Sequence, residues 1–65
     1  MPIVTSMVDG WLDVKVFDPV GRQTAHWQVD RNVEDTQALL VDGEEMMATW
    51  HPLGTLVVFK EVVCR

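Results

Sequence analysis

The chain has one cysteine, no tyrosine, one serine and few basic residues. Each shortage closes a route. Cys64 alone forms no internal disulfide, so no covalent staple supports the fold. Two histidines, His26 and His51, and that one cysteine lack the short ligand spacing of a metal site, and no metal or cofactor is expected. Ser6 lies inside a strand-like run and Cys64 is the penultimate residue. Neither comes with the base and orienting group that nucleophilic catalysis needs, so the expectation is a protein that is not an enzyme. The four glycines all stand at turn-like places, which leaves no phosphate-cradling loop. The longest apolar runs, Leu56-Val57-Val58-Phe59 and Ala38-Leu39-Leu40-Val41, fall far short of the roughly 18 residues that cross a bilayer. Met1 to Ser6 lacks the basic and apolar parts of an export signal. A soluble, cytoplasmic protein is expected, with no membrane partner and with its cysteine in a reducing compartment.

Five basic residues stand against ten acidic ones, for a net charge of −5. Nucleic-acid binding needs a basic footprint, so no nucleic-acid partner is expected. The acidity is concentrated: Asp30, Glu34, Asp35, Asp42, Glu44 and Glu45 face only Arg31 within residues 30–45. Such a block keeps a protein soluble or attracts a partner with a basic surface. Asp42-Gly43-Glu44-Glu45 lacks the alternating oxygens and distal glutamate of a calcium loop and reads as a solvated hairpin tip.

Sixty-five residues make a single domain, 1–65, and 48% of them are hydrophobic. A core this small is close to break-even against chain entropy, so part of that apolar content is expected at an interface. A shift of 33 residues lays Met7–Val29 over Leu40–Val62 without a gap, with six of 23 positions identical. Val8-Asp9-Gly10 falls on Val41-Asp42-Gly43, and Pro19-Val20-Gly21 falls on Pro52-Leu53-Gly54. The matches are residues with backbone meaning. Asp-Gly suits a two-residue hairpin turn, and Pro followed by Gly suits a longer one.

The segments between the turns read as strands: Ile3–Val8, Trp11–Phe17, Arg22–Val29, Glu44–Trp50 and Thr55–Val63. Asn32–Val41 supports two readings. Asn32 could cap a short helix over 33–41, with Glu34 and Asp35 at its positive end. The repeat instead lays Gln37–Val41 on the first strand. The expected fold is therefore mostly β: a small antiparallel sheet or barrel of five to six strands, built from duplicated hairpins, with or without that helix.

The two copies differ in their faces. The first alternates apolar and polar residues. The second is apolar on both sides of its last two strands, and a doubly apolar strand needs cover on both faces. Met47, Val57, Phe59 and Val63 lie opposite the core positions and are expected to form a homodimer interface. Among the three tryptophans, Trp27 and Trp50 fit the core. Trp11 shares a face with Asp13 and Lys15 and is the candidate exposed contact residue. Phe17-Asp18-Pro19-Val20-Gly21-Arg22-Gln23-Thr24 resembles the hairpin signature of the YD (Rhs-type) repeat family, aromatic-Asp-x-x-Gly-Arg-x-Thr. The resemblance spans eight residues, the second copy lacks the Asp and the Arg, and the period is longer than that family's. It implies shared turn chemistry and carries no function.

The resulting expectation is a small acidic, non-enzymatic protein-binding module, homodimeric through its C-terminal hairpin. Its contact residues would be Trp11, Glu34, Asp35, Asp42, Glu44 and Glu45. The alternatives are a structural subunit of a larger assembly and a ligand-binding β domain with a pocket of Trp and Met.

Overall fold

The computed structural model describes residues 2–60. It contains six strands and no helix: β1 (Ile3–Val8), β2 (Trp11–Phe17), β3 (Gln23–Asp30), β4 (Asp35–Val41), β5 (Glu44–His51) and β6 (Thr55–Phe59). They form two three-stranded antiparallel sheets, ordered β1-β2-β3 and β4-β5-β6. Each sheet is a meander of consecutive hairpins. The two sheets are not joined by strand pairing, so the barrel that the sequence allowed is not closed. Residues 35–41 are strand rather than helix. Leu39 and Val41 are buried with the exposed Leu40 between them, the period-two pattern of a strand, and β4 completes a ladder with β5 that a helix would leave empty.

The repeat is visible in the backbone. Among the described residues, those with positive φ occur in pairs 33 apart: Asp9 and Asp42 at 48° and 51°, Gly10 and Gly43 at 81° and 77°, Gly21 and Gly54 at 86° and 103°. Two successive positive φ values make Asp9-Gly10 and Asp42-Gly43 type I′ turns, whose twist matches that of the flanking strands. In the longer turns the Gly21 amide donates to the Asp18 carbonyl and the Gly54 amide to the His51 carbonyl, both at 2.9 Å. Proline supplies the first corner and glycine the left-handed exit.

One apolar core joins the sheets. Leu12, Val14, Val16, Trp27 and Val29 come from the first, and Leu39, Val41, Ala48 and Trp50 from the second. Here the copies part. In β2 the buried residues are 12, 14 and 16, whereas in β5 they are 48 and 50, with Met46 partly buried. Shifted by 33, the latter fall on Lys15 and Phe17, which belong to the opposite face of β2. The second unit therefore turns its other side to the core. The sheets stack face to back in repeat terms, not as mirror partners.

A bulge between Val16 and Phe17 offsets β3 against β2 by one residue, and the β5–β6 ladder runs without one. With that offset removed, Met47 is the counterpart of Val14 and Phe59 that of Trp27, since Val14 pairs with Trp27 as Met47 pairs with Phe59. The outer face of the second sheet thus corresponds to the core face of the first.

Candidate functional site

The outer face of the second sheet carries a row of three directly paired residues, Ala38, Met47 and Phe59, across all its strands. Val57 stands in the next row beside Thr49, where the Thr36 and Thr49 hydroxyls share a 2.9 Å hydrogen bond. Phe59 is 45% and Val57 40% exposed, and Met47 is half-buried. Three of the four expected interface residues are thus brought to one apolar surface. Val63 lies outside the described residues.

The expected contact residues do not form one patch. Trp11 begins β2 on the outer side of the first sheet and is half exposed, next to the exposed Val8. Asp42, Glu44 and Glu45 cluster at the β4–β5 tip, where Lys60 Nζ reaches Glu44 Oε1 at 3.5 Å. Glu34 and Asp35 lie at the other end of β4, about 23 Å away at the usual rise per strand residue. There Glu34 Oε2 is 3.3 Å from His51 Nδ1, and Asp35 Oδ1 accepts from the Thr36 amide at 2.9 Å. The acidic block of the sequence is divided between the two ends of one strand.

Sequence reasoning missed a polar network on the outer side of the first sheet. His26 Nε2 bonds directly to Asp13 Oδ1, and Lys15 Nζ lies 3.8 Å from Asp13 Oδ2. The His26 hydrogen bond chiefly, with the Gln28 side chain and the nearby Lys15 ammonium, holds the Asp13 carboxyl below the ordinary aspartate range, against the opposing effect of its partial burial. The signal was present in the hairpin: a turn at Asp18–Gly21 places β3 residues 26 and 28 beside β2 residues 13 and 15.

Asp18 is consumed by its own turn. Its Oδ1 accepts from the Val20 and Arg22 amides at 3.0 and 2.8 Å, and its Oδ2 lies 3.5 Å from Arg22 Nε. A cleft of about 550 Å³ separates this turn from the β4–β5 tip, lined by Asp18, Pro19, Thr24, Leu40, Asp42 and Gly43. Neither tryptophan nor methionine lines it. Among the described residues, no group of three histidine, cysteine or acidic side chains is placed to hold a metal, and no helix is long and apolar enough to cross a membrane.

No protein-family model, curated protein or solved structure matches the chain.

Proposed function

We propose that the chain is a small acidic, non-enzymatic protein-binding module that works as a homodimer joined through the outer face of its C-terminal sheet. The observation that carries this is the apolar row Ala38–Met47–Phe59 with Val57 beside it. These positions are the counterparts of the residues that form the core face of the first sheet, and there they have no cover within the described residues. A face of this chemistry is covered by a partner in most folds that bear one.

The closure argument favours two copies face to face. A head-to-tail stack would lay this apolar face on the outer side of another copy's first sheet. That would bury Asp13, Lys15 and His26, at a desolvation cost that apolar contact does not offset. A two-fold axis at the row Ala38–Met47–Phe59 sets apolar side chains on their copies and keeps Glu45, on the same face, at the end of β5 away from that axis.

Dimerisation leaves Asp42 and Glu44 free at the β4–β5 tip, with Glu45 at the rim of the contact, to meet a basic surface on another protein. That charge repels phosphate backbones, and the single cysteine suits a reducing, cytoplasmic setting. Light scattering coupled to size exclusion at micromolar concentration tests the reading. A wild-type assembly that Val57→Lys reduces to smaller, folded species supports it, and a monomeric wild type rejects it. The second reading, a structural subunit of a larger assembly, is distinguished by native mass spectrometry of Val57→Lys, where species beyond two copies that persist in the variant would favour it.

A further inference from the structure

The first sheet ends on β1, the longer of two uncharged edge strands, the other being the five-residue β6. Ile3-Val4-Thr5-Ser6-Met7-Val8 contains no charge, no proline and no glycine. Natural proteins usually blunt a free edge with charge or proline, because its unpaired N–H and C=O groups otherwise template another strand. Val4, Met7 and Val8 are each about half exposed, at 52%, 46% and 56%.

The backbone parity of β1 is known. The Phe17 amide donates to the Pro2 carbonyl at 2.7 Å. The bonded pairs of an antiparallel ladder alternate, and the pair flanking a two-residue type I′ turn is also a bonded one. Pro2, Val4, Ser6 and Val8 therefore spend their backbone groups on β2. The N–H and C=O of Ile3, Thr5 and Met7 point away from the sheet. No hydrogen bond to them arises from turns, loops or other elements among the described residues.

We propose that β1 pairs antiparallel with β1 of a second copy, with the two-fold axis at Thr5. In that register Thr5 meets Thr5 of the partner subunit, and Ile3 and Met7 meet their opposites. Each such pair exchanges two backbone hydrogen bonds, six in all. The two first sheets become one continuous six-stranded sheet. Every residue on the strand is uncharged, so two chains of net charge −5 meet along an edge where no charge opposes its copy. Ile3 packs against the core while Thr5 and Met7, on the same face, remain exposed. Pairing lays Met7 of each chain beside Ile3 of the other and extends the core across the new seam. This rests on the reading of the chain as self-associating. Combined with the sheet-face contact, a second isologous surface carries assembly past the dimer.

Native mass spectrometry of the full chain tests it, with Thr5→Lys as the edge variant and Val57→Lys as the face variant. Thr5→Lys puts two like charges opposite each other at the axis and touches no bond to β2. Wild type is expected to form tetramers or longer even-numbered species, with each single variant reduced to dimers and the double variant to monomers. Hydrogen exchange supplies a second readout. The amides of Ile3, Thr5 and Met7 should exchange at least tenfold more slowly in wild type than in Thr5→Lys, while those of Val4 and Ser6 stay unchanged. If Thr5→Lys leaves both the assembly and the exchange of those amides as in wild type, the edge pairing is overturned. If Val57→Lys alone has no effect while Thr5→Lys dissociates the protein, the face contact fails and the edge stands.

Discussion

The indole of Trp50 is 5% exposed and sits in the core, yet its Nε1–H donates to the Arg31 carbonyl at 3.0 Å. Arg31 in turn donates its amide to the Gly10 carbonyl at 3.0 Å. One side chain of β5 is thus tied through the connector to the first hairpin turn. Trp50→Phe keeps the aromatic packing and removes the donor, leaving a partly buried carbonyl without its partner. A loss of about 1–2 kcal/mol is expected in urea unfolding, and a change below a few tenths would mean that water replaces the bond. Asp13 offers a second test at this scale. Its carboxyl is held below the ordinary aspartate value chiefly by the His26 hydrogen bond. A carboxyl depressed in the folded state contributes stability above its unfolded pKa, and that contribution disappears as pH falls through the folded value. Wild type should therefore lose more melting temperature between pH 7 and pH 2 than Asp13→Asn does. Equal slopes for the two proteins would show that the pair is too solvent-screened to matter.

At the scale of elements, the two Pro-Φ-Gly turns share geometry but not chemistry. Both bond amide to carbonyl at 2.9 Å. Only the first adds a side-chain cap, where Asp18 accepts from two amides of its own turn. Asp18→Ala should destabilise by about 1 kcal/mol, in the range of lost capping bonds. His51→Ala, at the repeat-equivalent position, should cost less, since that histidine only reaches Glu34 at 3.3 Å on the surface. The pair of variants compared by thermal melting reads the difference directly. Turn residues are also what made the strands legible. Asp-Gly and Pro-Φ-Gly mark backbone conformations that few other residues adopt, so strand limits fell within about one residue at most turns. Asn32–Val41 resisted because helix caps and strand alternation were both present, and only the β5 ladder decides between them. Trp11 was readable as exposed from Asp13 and Lys15 on its own face. The division of the acidic block was not, because a run of 16 residues looks continuous until a strand separates its ends. The face reversal of the second unit was equally hidden: it depends on how two sheets meet, and each sheet's own pattern fits either side.

For the whole molecule, the reversal explains why apolar residues line both sides of one sheet. Stacked face to back, two units cover one apolar face and leave its counterpart, around Met47, Phe59 and Val57, at the surface. The first unit avoids the same problem on its outer side with Asp13, Lys15 and His26. The fold extends 36 × 34 × 14 Å, so it is thin and has few residues in its interior. Among the described residues, Val14, Val16 and Ala48 alone are wholly inaccessible. Stability from that core must be modest, on the order of 3–5 kcal/mol at most for a chain of this size. A partner that binds only the folded form adds to it by mass action. The melting temperature should therefore rise with protein concentration, by several degrees between 1 and 100 µM if the face contact has a sub-micromolar Kd, because a shift near 1 kcal/mol moves a domain of this length by about 4–8 °C. Val57→Lys should lower the melting temperature at the higher concentration and weaken its dependence on concentration, and adding Thr5→Lys should abolish that dependence. A wild type that melts at the same temperature across that range would place the whole of the stability inside one chain, and the exposed row of the second sheet would then need another occupant.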